Sequence, residues 1–367
     1  MILQRYIFRE LLTTFAIAFA ILVAVCSVGL IFNMFRSAEG ITLSLVFGAV
    51  PVAFAYMAPW ALVVAATLAS TMVYGRLAAE NEIDAMRTSG IHMGRIVAPA
   101  LLYAVFIFVL GFLIQHELAP WARYQRRDII GDTIIELLSN PPAGNTNIKI
   151  GGGYRLTYLD AKGGEIFEPT LASFNAEGDL ENQLRGATGV IKVLDENTVE
   201  ILIRQASFTI WEKVDDRLVE KVDGYVGDRA ITIKLEDPNA RGLSSEEFRG
   251  LALVSEWSRT APRSGEKWSD SSWRNTLYTE LHLRFAKALG PICLILLGIP
   301  IGISVKKGTK LSGLGMALPP LLFYFILFFV GQGMAQRRQL PPEIGAYGPN
   351  AVVLLAALGM MWRAFRL

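Results

Sequence analysis

Residues that could perform catalysis or bind a metal ion are few and scattered in this chain of 367 residues. The three histidines, His92, His116 and His282, lie far apart, and neither an H-E-x-x-H pattern nor a closely spaced cysteine pair accompanies them. The phosphate-binding loop G-x-x-x-x-G-K-[ST] is missing, as is the G-x-S-x-G turn of a hydrolase. We therefore expect no metal site, no ATP hydrolysis by this chain and no enzyme activity. An intramembrane hydrolase would need a scattered site that the sequence does not reveal.

A more specific signal lies in the segment from Tyr74 to Arg95. In it, carboxylates and apolar side chains follow one another at helical spacing until a Ser-Gly pair stops the pattern. A helix that only anchored itself on a membrane surface would have a lysine-rich polar face, whereas this one is acidic near its start. The pattern predicts a short helix that docks into a protein groove containing a basic residue, where a charge pair fixes the register. The residues that form the pattern are Leu77, Glu80, Glu82, Ile83, Asp84, Met86, Ser89 and Gly90.

Six apolar stretches indicate that this helix belongs to a membrane protein. A helix needs about 20 apolar residues to cross the roughly 30 Å hydrocarbon core of a bilayer. Three such stretches lie on each side of a polar region at residues 117–283. An even number of spans places both termini on the same side of the membrane. The predicted spans cover residues 11–34, 46–73, 97–116, 286–305, 312–335 and 349–364.

The distribution of Lys and Arg in the short loops predicts the orientation. Cytoplasmic loops contain the excess of these residues, whereas long domains are translocated regardless of charge. We therefore expect cytoplasmic termini and a periplasmic polar region. The residues on the predicted cytoplasmic side are Arg5, Arg9, Arg76, Arg87, Arg95, Lys306, Lys307, Lys310, Arg363 and Arg366, against Arg36, Arg337 and Arg338 on the other side.

Composition limits the kinds of partner. Half of the residues are hydrophobic, yet the formal net charge is only +2, and charges of both signs are mixed through the polar region. Nucleic-acid binding would require a strongly basic domain, so we expect none. The two cysteines, Cys26 and Cys293, fall in predicted spans, which predicts packing among helices and no disulfide framework.

The polar region itself contains helical and β-type sequence. Residues 119–138 have helical spacing, and Ser244–Glu247 resembles a helix start. Between them the period changes to two, which predicts an all-β sandwich or open barrel at about residues 145–236, inserted between helical stalks. Residues 273–284 lead back into the membrane. The predicted strands are 147–150, 154–159, 165–175, 184–194, 198–211, 218–226 and 231–235.

Three blocks of the sequence resemble one known family. The run GRLAAENEIDAMRTSGIHMGRIVAP at 75–99 is similar to the conserved loop of the LptF/LptG permeases, also called the YjgP/YjgQ family. The blocks ELHLRFAKALGPICLILLGIPIGISVKKGTKLSGLGMAL at 280–318 and LPPEIGAYGPN at 340–350 are similar to later segments of the same family. Span count, the position of the insertion and the N-terminal YIFRE also correspond, so the resemblance covers nearly the whole chain.

The resemblance implies a lipopolysaccharide-export permease. Two such subunits, one LptF-like and one LptG-like, would pair in the inner membrane on a cytoplasmic ABC ATPase dimer that binds the ATP. They would extract lipopolysaccharide and pass it to a periplasmic jelly-roll bridge protein. The implied fold is α-helical in the membrane, with spans one to three in residues 1–118 and four to six in 284–367. A β-jelly-roll domain would lie within the periplasmic residues 119–283. The implied coupling helix is near 77–89, with Glu82, Asp84, Met86 and Arg87 at the ATPase.

The lipid path is predicted from apolar side chains and one cation. The resemblance implies that spans one and five line a lipid cavity, which points to Phe32, Phe325 and Phe329, although span residues also simply face the bilayer. Arg36 could pair with a lipid phosphate through its planar fork or extend to the headgroups. The implied jelly roll would hold lipid beside Ile201 and Phe208, which would otherwise form an ordinary closed core.

Two other functions remain open at this point. One is a permease of another ABC class, such as lipoprotein release or drug efflux, although those usually differ in span count. The other is a non-transporting membrane scaffold or sensor that displays a β domain, for which an acidic coupling helix would have no purpose. Co-purification with an ATPase would distinguish transport from scaffolding.

Overall fold

Six helices of the chain are long and apolar enough to cross a membrane. The computed structural model describes residues 2–35, 43–150, 153–175, 179–195, 198–214, 217–234, 243–260, 267, 270, 272–304 and 312–366. Within these residues, the prediction of six spans is confirmed. Each span includes at least 22 residues, enough for the roughly 30 Å hydrocarbon core. The spans are Ile2–Phe32, Phe47–Ala79, Met93–Arg126, Trp273–Ser304, Gly315–Gln336 and Pro342–Ala364.

The complete helices extend beyond several of these spans. The helix predicted at 119–138 is present, but it continues from the third span through one π-helical turn at Ile114–Leu118 and is not a separate stalk. The α-helices are α1 Ile2–Phe35, α2 Leu43–Ala79, α3 Glu82–Thr88, α4 Met93–Leu113, α5 Ala119–Ser139, α6 Gly250–Arg259, α7 Trp273–Ser304, α8 Ser312–Gln336 and α9 Pro342–Arg366.

Contacts divide the chain into two units. The first contains residues 1–27, 54–123 and 245–367, and the second contains residues 28–53 and 124–244. Most of the helical sequence lies in the first unit, and all the β-strands lie in the second.

Helices α2 and α7 pack closely through small residues. A Cβ atom added at Gly302 would lie 2.7 Å from the carbonyl oxygen of Thr71 and 2.9 Å from the backbone nitrogen of Gly75. Gly298 packs in the same way against Ser70 and Thr71. Small residues allow two backbones to approach this closely. Such packing helps to hold spans together, because lipid chains are as apolar as the side chains and provide no hydrophobic driving force between helices. The helix stays continuous through Pro291 and Pro300.

The predicted helix start at Ser244–Glu247 is wrong, because Arg284 of α7 binds the backbone of this segment. The side chain of Arg284 is fully buried, and its Nε donates to Oε1 of Glu280 at 2.8 Å. Its Nη atoms donate to three carbonyl oxygens, those of Ser245 at 3.0 Å, Glu246 at 2.9 Å and Phe248 at 2.6 Å. These carbonyls point at a side chain and not along a helix axis, so α6 begins only at Gly250.

The second unit contains an antiparallel β-sheet domain, which confirms the predicted all-β insertion. The sheet order is β1-β2-β5-β6-β8-β7-β4-β3, with β9 beside β8. Strand β8 pairs with β7 through its first half and with β6 through its second half. The strands are β1 Thr146–Ile150, β2 Tyr154–Tyr158, β3 Asp160–Lys162, β4 Glu165–Phe167, β5 Thr170–Phe174, β6 Leu180–Arg185, β7 Thr188–Asp195, β8 Thr198–Val214 and β9 Arg217–Lys234.

Two predicted strands are each divided in the structure. Residues 165–175 form β4 and β5, because Glu168 has a φ of 50° and Pro169 has no N–H group to donate. Residues 184–194 are divided at Gly186, where a Cβ atom would lie 2.6 Å from the carbonyl oxygen of Arg204. A strand with a side chain at this position could not approach β8 so closely.

Two other predicted strands join into one. The stretches 218–226 and 231–234 belong to the long strand β9, which pairs with β8 along nearly its whole length, and residue 235 of the prediction lies outside the described residues. The register shifts around Gln205, whose φ is 53°, and opposite it Gly227 has a φ of 78°. The backbone N–H of Gln205 in this bulge donates to Oδ1 of Asp228 at 3.1 Å, so it has an acceptor although the ladder is interrupted there.

Candidate functional site

The acidic segment predicted to dock a partner forms the short helix α3 between α2 and α4. Leu77, the first apolar residue of the pattern, lies in the last turn of α2, so the helix is shorter than predicted. Ile83 and Met86 are buried in the hydrophobic core of the chain. Asp84 and Arg87 are exposed, whereas Glu82 is partly buried. The surface open to a partner is therefore charged.

Hydrogen bonds join the helices on either side of α3 and close its C-terminal end. The Tyr74 hydroxyl of α2 donates to the carbonyl oxygen of Ile96 in α4 at 2.9 Å. At the C-terminal end, Gly90 has a φ of 81°, a left-handed conformation that glycine adopts without steric cost, as the Ser-Gly stop predicted. The backbone N–H of Ile91 donates to the carbonyl oxygen of Met86 at 3.0 Å. Helix α3 is therefore held between two helices that are themselves hydrogen-bonded to each other.

Arg76 joins three carboxylates from two helices and the turn before α3. Its Nε and Nη2 contact the two carboxylate oxygens of Glu10 in α1 at 2.7 and 2.5 Å, a bidentate pair. Its Nη1 donates to Glu80 at 2.6 Å and to Glu82 at 3.2 Å. Nη2 also donates to the Tyr6 hydroxyl at 2.8 Å. We call Glu10, Arg76, Glu80 and Glu82 the Arg76 cluster.

The Arg76 cluster has an excess of negative charge, because three carboxylates surround one guanidinium group. Glu80 and Glu82 are about half and one third exposed, respectively, so both are within reach of a second protein. A basic residue of a partner could pair with Glu82 while Arg76 keeps its bidentate contact with Glu10. The electrostatic argument for a basic groove therefore extends beyond α3 to the start of α1.

In the sequence pattern, Arg76 belongs only to the excess of cytoplasmic cations, and Glu10 has no predicted role. The spacing of Arg76 and Glu80, four residues apart on a helix, is a visible signal for an ion pair. The pairing with Glu10 joins residues 66 positions apart, and the sequence alone does not predict it.

The predicted lipid-path residues of the spans differ in their surroundings. Phe32 of α1 is 71 % exposed and Phe329 of α8 is 53 % exposed, whereas Phe325 is partly buried. The ring of Trp60 in α2 stacks on Phe329 with centroids 5.4 Å apart and lies 6.2 Å from Phe325. The structure therefore brings Phe325 and Phe329 together and adds Trp60, which sequence analysis missed. We call these three residues the aromatic surface.

Other aromatic residues of spans one and five pack inside the chain. Phe15 is buried and lies edge-on to Tyr103, with centroids 6.1 Å apart. Phe328 is buried against Tyr324. The exposed apolar faces of α1 and α8 contain Ile17, Ile21, Val25, Val28 and Phe32 in α1 and Met316, Leu318, Leu322, Phe323, Ile326, Phe329 and Val330 in α8.

The predicted lipid residues of the β domain lie in or beside its core. Ile201 is fully buried in a cluster that also includes Leu137 and Leu138 of α5. Phe208 is partly buried, and its ring covers Gly224 on the neighbouring strand β9. Arg36 lies outside the described residues, as do Lys306, Lys307 and Lys310. The lipid-binding roles of Ile201, Phe208 and Arg36 stay predictions.

Comparison with known families extends over both the helical and the β parts of the chain. Residues 5–363 match the family described as lipopolysaccharide export system permease LptF/LptG. The chain belongs to the LptF/LptG family. No individual curated protein matches it at a significant level. Members of the LptF/LptG family are transporter permease subunits and not enzymes themselves, and the six apolar helices agree with a multi-pass protein of the inner membrane.

We predict that Arg76 holds the start of α3 in place in this LptF/LptG chain. In Arg76→Gln, three neighbouring carboxylates lose their common counter-charge, so backbone amides of residues 80–91 should exchange hydrogen faster. The free energy of unfolding should fall by on the order of 2 kcal/mol. Hydrogen-exchange mass spectrometry and thermal unfolding of the purified protein measure both effects. The exposed Arg87→Gln is the matched control, and equal exchange in the two variants would contradict the assignment.

Proposed function

We propose that this chain is one half of a permease that extracts lipopolysaccharide, or a related glycolipid, from the inner membrane. A second permease subunit of the same family pairs with it, and a separate cytoplasmic ABC ATPase dimer supplies the energy. The lipid then passes to a jelly-roll bridge protein in the periplasm. The observation that supports this proposal most directly is the acidic Arg76 cluster beside the exposed face of α3, in a chain that matches the family from residue 5 to 363.

The proposed coupling begins at α3. A basic residue of the ATPase pairs with Glu82, while Asp84 and Arg87 lie on the exposed part of the same helix. Because Arg76 binds both Glu82 and Glu10, a displacement of α3 also pulls on α1. Helix α1 exposes a continuous apolar face, so ATPase motion would reach a helix in contact with lipid.

The apolar faces of α1 and α8 are the proposed walls of the lipid path. Only 11 % of the most apolar part of α1 and 22 % of that of α8 are buried within the chain, against 72 % for α2 and α7. Apolar walls suit acyl chains, and a second permease subunit placed against these faces would enclose a cavity between the two subunits. Phe32 and Phe329 would then line the lipid path.

We predict that Glu82→Lys abolishes lipid extraction and lowers ATPase recovery with the permease more than about tenfold. The reversed charge repels a basic residue in the ATPase groove. Co-purification of the ATPase and lipid release from membrane vesicles measure the two effects. Glu80→Lys is the matched control, because Glu80 also pairs with Arg76. Equal losses in both variants would mean that the disturbed Arg76 cluster, and not docking at Glu82, is responsible.

The orientation follows from the proposed coupling, because α3 and the β domain are separated in sequence by one span. We predict that a cysteine at Asn182, an exposed position of the β domain, reacts in intact cells with a membrane-impermeant maleimide. A cysteine at Thr88 at the end of α3 should react only after the inner membrane is permeabilised. Cys26 and Cys293 are replaced by Ser in both proteins. Labelling of Thr88 from outside would overturn the orientation and the coupling.

The β domain is proposed to receive lipid in its interior. Its core cluster is apolar and includes the fully buried Ile201, which an acyl chain could reach only if the sheet opens. Phe208 is partly buried and therefore closer to the surface. A jelly-roll bridge of similar structure could add a strand to the free edge of the sheet, since exposed edges accept strands by β-augmentation.

We predict that a photo-crosslinking residue at Phe208 or Ile201 captures lipid when ATP and the partner subunits are present. A permanently closed core has few voids larger than a water molecule and excludes ligands. Leu194, an exposed residue of β7, is the control position and should capture none. Crosslinks from Phe329 without any from Phe208 or Ile201 would restrict transport to the membrane part of the chain.

A further inference from the structure

Lys287 of α7 is a cation without a counter-charge in the described part of the chain. It lies one helical turn after Arg284, near two carboxylates that are already paired. Glu280 accepts from Arg284 at 2.8 Å, and Glu246 lies 3.5 Å from Nε of Arg123. No hydrogen bond or ion pair joins Lys287 to any residue that the structure describes. This group of charges therefore contains three cations and two carboxylates, and Lys287 is the surplus cation.

Lys287 lies over the ring of Trp60. Its Nζ lies 6.0 Å from the ring centroid, at the outer limit of a cation–π contact. Trp60 in turn stacks on Phe329, which is 53 % exposed, and lies beside Phe325. The ammonium group is therefore next to the aromatic surface, which opens toward the exposed apolar face of α8.

An unpaired ammonium in a membrane span is energetically expensive, and such residues commonly mark a binding site or a substrate path. Lys287 is partly buried, so part of its side chain is accessible from outside the chain. The matching ligand has one compact anionic group joined directly to an apolar chain. A phosphate group on an acylated lipid has this chemistry, because lysine binds phosphate as a point charge and the aromatic rings offer apolar contact to the chain.

We propose that Lys287 binds the phosphate group of an acylated lipid whose apolar chain lies along Trp60, Phe325 and Phe329. The assignment of that lipid as transported glycolipid rests on the proposed function. The phosphate site itself depends only on the arrangement of Lys287 and the aromatic surface. Apolar walls alone do not distinguish phosphorylated from uncharged lipids. The site at Lys287 gives the path a preference for phosphorylated lipids.

Native mass spectrometry of the purified full-length chain tests the site with three lipids. These are a bisphosphorylated lipid A, its fully dephosphorylated form and phosphatidylglycerol. The wild-type chain should bind the phosphorylated lipid A about tenfold better than the dephosphorylated form. Lys287→Met should lose this preference, and Lys287→Arg should keep it. Arg95→Met removes an exposed cation at the start of α4 and should leave the preference unchanged.

An unchanged preference in Lys287→Met, or no preference in the wild-type chain, would overturn the proposal. Should Lys287→Met not be recovered folded, a photo-crosslinking residue at Phe329 of the otherwise unchanged chain decides. It should capture phosphorylated lipid A but not the dephosphorylated lipid, and equal capture of both would reject the site.

The competition with phosphatidylglycerol distinguishes the two sources of phosphate. Displacement of lipid A only by a large excess of phosphatidylglycerol assigns the site to the transported glycolipid. Equal competition assigns it to phospholipid of the surrounding bilayer, which rejects the cargo assignment and supports the phosphate site.

Lipid extraction by the assembled transporter is measured separately. Its absence in the wild-type complex would reject the proposed function without affecting the binding preference, whereas extraction together with an unchanged preference in Lys287→Met would reject only the site.

Discussion

Within a bilayer no water is available to satisfy backbone N–H and C=O groups, and this constraint shapes the helical part of the chain. The six spans satisfy it through helical hydrogen bonds. Where the backbone leaves the helical pattern before α6, Arg284 of α7 supplies donors to three carbonyl groups. The cost of burying this guanidinium is offset by four hydrogen bonds of good geometry, of which the one to Glu280 is also an ion pair. The segment that leads back into the membrane is thus fixed to the span that follows it.

The features that the sequence predicts well are those with local causes. Long apolar runs predict the six spans because the hydrocarbon thickness sets their length, and the Ser89-Gly90 stop predicts the end of α3. The helix start predicted at Ser244–Glu247 is wrong, because carbonyl groups in and directly after this segment bind a side chain 36 to 39 positions away. The two strand breaks differ for the same reason. The break at Pro169 has a local cause that the sequence shows, whereas the break at Gly186 depends on the close approach of β8.

Only part of the candidate site can be predicted from the sequence, because its contacts join residues that are distant along the chain. Apolar residues at helical spacing indicate a buried face but do not identify what covers it, so Met86 was assigned to a partner although it packs inside the chain. The carboxylates of the segment were identified correctly as a surface feature. Their connection to α1 required Glu10, and the surplus charge of Lys287 becomes visible only when Arg123, Arg284 and their carboxylates are paired in space.

The contact of Gly302 with Thr71 and Gly75 has a mechanical consequence. Backbones packed this closely cannot slide past each other without steric overlap, so α2 and α7 should move together in this region. Arg76 and Trp60 lie 16 residues apart on α2, which corresponds to about 24 Å along its axis. If α3 moves as proposed, this contact would carry the displacement along α2 toward Trp60 without a relay of polar side chains through the membrane.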